Sequence, residues 1–263
     1  LFLYRDRTEA FSLSLEEGQQ FIAADINDQG WLVTVTQESG YKGIVTVYDS
    51  SFSPQIRLKL SSRFVMDVAL APDSKSVALL TVGLDGDSFQ SRVDLYRLDR
   101  TEEEIEPDWT CSVGGDTILA LRWNSSGIWA LGESSLSIVG SDGTLTGSCD
   151  YGGLYLKNFS LDGDGTAALL LGKYRAGTSA ELWTVSADGT VRASLPTEEQ
   201  VLSLSAAGRY ISLLTADRLD IYNQDLETYS TLAGTQSAQT VLQRSDGSAM
   251  LIDNTSAWIY VPQ

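Results

Sequence analysis

The chain contains no histidine. Its absence removes the commonest metal ligand and the side chain that most readily exchanges protons near neutral pH. Ser-His-Asp and Cys-His catalysis are excluded, as is any zinc site built on imidazole. Cysteine is almost as scarce. Cys111 and Cys149 are the only two and have no CxxC spacing, so they form no disulfide framework. They fall on expected outer strands of adjacent repeats, where a single bridge is geometrically open but two unpaired thiols are the expectation. Proline occurs five times in 263 residues, so no Pro-rich linker divides the chain. No apolar run approaches the ~20 residues that span a bilayer. The longest, 77–82 and 167–171, are strand-sized. Basic residues are also few, 18 Lys and Arg against 35 Asp and Glu, giving a net charge of −17. A surface that negative repels phosphate backbones and anionic headgroups, so neither nucleic acid nor electrostatic membrane docking is expected.

What is present is a repeat. Tight polar turns, each set between two apolar runs, end at Gly30, Lys75, Gly127, Gly165, Gly208 and Gly247, at intervals of 45, 52, 38, 43 and 39 residues. The 16 residues after Gly247 and the 30 up to Gly30 make one further interval of 46. Strand-only repeats of this length predict an all-β fold, a six-bladed β-propeller of four-stranded blades. The expected blades cover 20–60, 64–113, 117–149, 155–195, 200–232 and 237–261, in a single domain over 1–263. The last blade lacks a fourth strand, and the alternating segment 9–15 is expected to supply it and seal the ring. The second runs of the repeats are continuous in Leu, Ala and Val, as strands covered on both faces should be. The long interval predicts two insertions, 83–89 and the acidic 101–108, both read as solvated loops.

The phrases Val68-Ala69-Leu70-Ala71-Pro72-Asp73-Ser74-Lys75-Ser76-Val77-Ala78-Leu79 and Leu182-Trp183-Thr184-Val185-Ser186-Ala187-Asp188-Gly189 resemble bacterial six-bladed propellers of the TolB-like or WD40-like superfamily. The Gly-His and Trp-Asp signatures of eukaryotic WD40 proteins are absent. The chain also resembles an uncharacterised clostridial family in which an extracellular propeller follows one N-terminal membrane span. That resemblance implies an extracytoplasmic location and no particular chemistry. The chain begins at Leu1 rather than Met, so the implied anchor is expected upstream of it.

Polar residues of the expected first strands would line the central channel: Asp25, Asp67, Arg122 and Asn158, with Lys157 and Ser203 beside them. Asp25 and Asp67 are the only candidates for a carboxylate pair, and a water-filled channel needs the same residue types. Ser160-Leu161-Asp162-Gly163-Asp164-Gly165-Thr166 resembles the Asp-box of sialidase propellers, with Asp164 at the central Gly and Ala167 at the Trp. It is expected to be a hairpin turn. Asp162/Asp164 and Asp85/Asp87 could begin calcium loops, but neither continues into a ligand pattern, so exposed turns are expected and no cofactor is predicted. Gly83-Leu84-Asp85-Gly86 lacks the Lys-Ser/Thr ending of a phosphate cradle. Trp31, Trp123 and Trp129 could stack on sugar rings, with core packing the simpler expectation. The leading functional expectation is a non-catalytic interaction module of the bacterial cell envelope. Its partner would be a protein or neutral envelope polymer, and the domain monomeric. The alternatives are a carbohydrate- or lactone-active hydrolase or lyase using channel-mouth carboxylates, and a structural spacer. Two carboxylates about 5–10 Å apart at the channel mouth would separate the enzyme from the module.

Overall fold

Turn chemistry sets the strand boundaries throughout. The Asn27 side-chain oxygen accepts from the Gln29 and Trp31 amides, and the Asp49, Asp142, Asp188 and Asp246 carboxylates each accept from an amide two residues on. Each such Asx turn ends one strand and aims the next back along it. The computed structural model describes residues 1–5, 7–101, 106–113 and 116–262. These residues form β1 (Phe2–Arg5), β2 (Thr8–Ser12), β3 (Gln20–Ile26), β4 (Leu32–Gln37), β5 (Gly43–Tyr48), β6 (Pro54–Leu60), β7 (Phe64–Leu70), β8 (Ser76–Asp85) and β9 (Ser88–Arg97). There follow β10 (Trp109–Ser112), β11 (Ile118–Asn124), β12 (Gly127–Gly132), β13 (Ser135–Val139), β14 (Leu145–Asp150), β15 (Tyr155–Ser160), β16 (Thr166–Gly172) and β17 (Ala180–Ser186). The last are β18 (Val191–Thr197), β19 (Ser203–Ala207), β20 (Tyr210–Leu214), β21 (Arg218–Tyr222), β22 (Thr228–Ala233), β23 (Thr240–Gln243), β24 (Ala249–Ile252) and β25 (Ala257–Tyr260).

Five sheets have four strands, in the orders β3-β4-β5-β6, β10-β9-β8-β7, β11-β12-β13-β14, β15-β16-β17-β18 and β19-β20-β21-β22. A sixth has three, β23-β24-β25, and a seventh has two, β1-β2. Among the described residues the pairings given between these strands are antiparallel, as consecutive strands joined by short turns must be, and one isolated parallel bridge joins Gly163 to Gly208. The segment 9–15, expected as the fourth strand of the last sheet, is strand over Thr8–Ser12 and pairs with the short β1, in which Leu3 pairs with Phe11, while the last sheet has three strands among the described residues. The segment 83–89, expected as a loop, instead prolongs β8 and β9 into a hairpin of two ten-residue strands that pairs Asp85 with Ser88. Gly86, at φ +63°, allows its two-residue turn. Residues 102–105 of the acidic insertion lie outside the described residues.

The chain divides into two compact units, 1–123 with 141–144, and 124–140 with 145–263. In the first, Val33, Val35, Val45, Val47, Ile56 and Leu58 of one sheet pack on Val65, Val68, Leu70, Val77 and Leu79 of the next. Phe11 of β2 meets this unit too, edge-on to Tyr48 and stacked on Phe52. In the second, Leu170 and Leu182 face Leu204, Ile211 and Leu213, and Leu214, Leu219 and Ile221 face Val241 and Leu251. Each fully buried aliphatic side chain contributes roughly 1.5–3 kcal/mol, so these sheet-to-sheet layers supply most of the stabilisation. The second strands carry the densest burial: every residue of β16 and β20 is buried. Continuous apolar runs in those segments thus report cover on both faces.

Candidate functional site

A first strand that lies beside the first strand of the next sheet leaves unpaired backbone N–H groups along its edge. Side chains satisfy them here. In the first unit an Asp25 oxygen accepts from the Leu70 amide at 2.9 Å, and an Asp67 oxygen accepts from the Leu121 amide at 2.7 Å. In the second unit the Ser160 hydroxyl accepts from the Ala206 amide at 2.9 Å, and the Ser205 hydroxyl from the Gln243 amide at 3.0 Å. Asp25 and Ser160 each stand two residues before the Asx residue of the following turn. That spacing is the signal in the sequence that could have exposed the role.

Three of the four predicted channel residues meet in the first unit. Arg122 Nη1 lies 3.0 Å from the other Asp25 oxygen. Asp67, whose second oxygen accepts from its own neighbour Val68, feels both of them. Burial pushes the Asp67 carboxyl above the usual carboxylate range, against the pull of the Leu121 and Val68 amides, and the Asp25 charge adds to the rise. Asp25 and Asp67 occupy different levels of their strands. By register Asp25 sits opposite Val33 in β4, whereas Asp67, opposite Leu80 in β8, matches Ala23, opposite Val35. Every carboxylate oxygen of the pair thus already accepts a hydrogen bond. The fourth candidate, Asn158, belongs to the second unit, where its oxygen accepts from the Phe159 amide.

Asn158 borders a cavity of about 460 Å³, within the size range of small-ligand sites. Tyr155, Lys157, Arg175, Thr178 and Gln200 also line it. Arg175 lies over the Tyr155 ring at 5.3 Å and pairs with Glu133 at 2.9 Å. Both members of that ion pair are more than half exposed, so it contributes about 0–1 kcal/mol.

Two third strands share a motif, Arg92-Val93-Asp94-Leu95-Tyr96 and Arg218-Leu219-Asp220-Ile221-Tyr222. Its Asp is buried in both. Asp94 accepts from Thr81 Oγ1 at 2.6 Å and stands 2.9 Å from Arg92 Nε, without hydrogen-bond alignment. Asp220 accepts from Thr231 Oγ1 at 2.8 Å and from Arg218 Nε at 2.7 Å. Arg63, itself buried, donates to Thr81 and to the Gln90 carbonyl, anchoring the base of the β8–β9 hairpin. These networks tie strands together.

The other sequence candidates resolve as structure. The Asp164 amide donates to the Gly208 carbonyl at 2.8 Å, so the Asp-box-like segment is a turn bonded to the neighbouring sheet. Asp85 and Asp87 flank Gly86 at the hairpin tip. Among the described residues no three His, Cys, Asp or Glu side chains cluster to hold a metal. Trp129 is fully buried, with its indole N–H donating to Asn124 at 3.1 Å. Trp31, half-buried, borders a shallow cavity of about 530 Å³ with Lys75 and Arg97. Cys111 and Cys149 are free and buried, and burial raises both thiol pKa values. Among the described residues no helix is long and apolar enough to cross a membrane.

One end of the first unit presents large apolar side chains to solvent. Phe64 opens β7 opposite Val82, two residues before Leu84, and Leu84 pairs with Phe89 at the hairpin tip. Leu84 and Phe89 are 66% and 67% exposed, and Phe21, at the equivalent start of β3, is also exposed.

Solved structures with the same fold are WD40 β-propeller proteins. Hsv2 of Kluyveromyces marxianus matches at a TM-score of 0.62 and 12% identity over 92% of this chain and 73% of that one. Hsv2 of Kluyveromyces lactis matches at 0.59 and 10%, over 92% and 73%. The C-terminal WD40 domain of Sif2 matches at 0.56 and 12%, over 97% and 85%. The all-β fold of four-stranded antiparallel sheets is therefore that of a β-propeller, without the Trp-Asp signature. No curated protein matches the chain. Residues 14–226 match the profile described as "Family of unknown function (DUF5711)".

Proposed function

We propose that this chain, which belongs to the DUF5711 family of unknown function, is a protein-interaction module and not an enzyme. One contrast carries the reading. The four oxygens of Asp25 and Asp67 are engaged by backbone amides and Arg122, while Leu84 and Phe89 are held in the open on the β8–β9 hairpin. A general acid or nucleophile needs a carboxylate oxygen turned toward substrate, whereas a partner surface needs exposed apolar anchors. The propeller neighbours support an interaction role at the level of fold.

The finer reading is a single six-bladed ring whose last sheet is completed by segment 9–15, held outside the cytoplasm by an upstream membrane span. The partner is a protein or neutral envelope polymer, and the domain acts as a monomer. The interval of 46 across the chain ends supports the closure, and the resemblance to membrane-anchored propellers supports the location. A cysteine pair at positions 11 and 259 tests the closure by disulfide trapping. Protease digestion of intact cells tests the location.

Photo-crosslinking from position 89 in intact cells tests the interaction itself. A discrete protein adduct that disappears with Leu84→Asp is expected. Absence of any adduct, or one unchanged by that substitution, contradicts the reading.

A further inference from the structure

In β15 the register passes from Leu156 opposite Leu171 to Asn158 opposite Leu170, leaving Lys157 as the extra residue of a bulge. The same irregularity occurs in β3 at Ile22 and in β7 at Met66. Bulges re-aim a side chain, and of these three only Lys157 carries charge. Its stem crosses Gly172 so closely that a Cβ there would lie 2.0 Å from Lys157 Cε. Gly172 has no left-handed φ that would demand glycine, so the lysine stem is what the missing Cβ accommodates.

The path delivers an ammonium to the cavity of about 460 Å³. Nζ donates to the Gly177 carbonyl at 2.5 Å, which leaves two of its three N–H donors for a ligand. In a chain of net charge −17 an ammonium would ordinarily recruit a carboxylate, yet among the described residues Lys157 Nζ bonds to the neutral Gly177 carbonyl. Arg175 adds a second cation at the rim, and Glu133, 2.9 Å from it, cancels one charge. The lining is left with one net positive charge, set among the neutral groups of Asn158, Thr178 and Gln200 and the ring of Tyr155. A single excess charge matches a monoanion, while the strongly acidic surface disfavours polyphosphates.

We infer that this cavity binds a monocarboxylate, with Lys157 as its principal charge partner and the neutral side chains fixing its orientation. The carboxylate could belong to a free organic acid or to the C-terminus of a peptide, and the two sources differ in the test.

The experiment is titration calorimetry of the intact chain with glucuronate, with lactate, with a tetrapeptide bearing a free C-terminus, and with its C-terminal amide. At least one carboxylate should bind, with the amide at least tenfold weaker than the acid if the peptide is the ligand. Lys157→Met keeps the stem and removes the charge, and should weaken binding at least tenfold with the thermal midpoint retained. Gly172→Ala should weaken it likewise by displacing the stem. Raising salt from 50 to 500 mM should also weaken binding. Absence of binding across the panel, or equal binding by wild type and Lys157→Met, overturns the site. The contact proposed for Phe89 does not involve Lys157, so crosslinking from position 89 should persist in Lys157→Met and keeps the two proposals separable.

Discussion

Removing the Asp67 carboxylate should destabilise the fold, and how far it does so measures whether this residue joins sheets. In Asp67→Ala the Leu121 amide, now 2.7 Å from a carboxylate oxygen, loses its acceptor in a buried setting. An orphaned buried donor costs about 1–3 kcal/mol. The Val68 amide loses its acceptor as well, while relief of the buried charge returns part of the loss. The net should be about 2 kcal/mol. In a chain of this size that lowers the thermal midpoint by roughly 4–8 °C. Asp67→Asn keeps an oxygen able to accept one of the two bonds and should cost about 1 kcal/mol or less. A pH arm sharpens the test. Because burial raises the folded-state pKa of Asp67, folding favours its protonated form. The stability it contributes is complete below the ordinary carboxylate pKa of about 4 and is lost as pH rises through the raised value. Wild type should therefore lose stability relative to Asp67→Asn between about pH 4 and neutrality. Urea unfolding followed by circular dichroism at several pH values reads both effects. An Asp67→Ala variant within about 0.5 kcal/mol of wild type, or an Asn difference that does not change with pH, would refute the reasoning.

Other expectations follow from the same geometry. The Asp49, Asp142, Asp188 and Asp246 carboxyls are held low chiefly by the hydroxyls of Ser51, Thr144, Thr190 and Ser248, so their contribution is present above about pH 4 and is lost as pH falls through the lowered values; acid titration of the thermal midpoint should show that decline. Gly189→Ala should cost about 2–4 kcal/mol, because φ is +82° and a Cβ would stand 2.4 Å from the Ser148 backbone nitrogen, whereas Gly40→Ala, at φ +89° in open space, should cost about 1 kcal/mol in the same unfolding assay. Cys111 and Cys149 should each take one alkyl group under denaturing conditions without reductant and almost none in the folded state, read by intact mass.

The strands were legible because each is bounded by its own local chemistry. Runs such as Thr166 to Gly172 mark themselves by continuous apolar residues, and Asn27 or Asp49 marks where they end. The β8–β9 hairpin was not, because Gly83, Gly86 and two aspartates read as a loop although Leu84 and Phe89 face each other across a ladder. The short β1 offered four residues, too few for alternation to register. For the candidate site, the polar identities of Asp25, Asp67, Arg122 and Asn158 could be read along the chain. Their partners could not, since Leu70 and Leu121 lie 45 and 54 residues away and depend on which strand edges come together. Lys157 shows the same limit, because its importance rests on a register shift and a glycine across the ladder.

The measurement that bears most directly on the account is a turnover screen of the purified chain against chromogenic glycosides and lactones, with and without calcium. The account predicts no turnover by wild type, with Asp25→Asn and Asp67→Asn indistinguishable from it. Turnover that either substitution abolishes while the circular dichroism spectrum and thermal midpoint hold would contradict the binding-module reading and make those carboxylates catalytic.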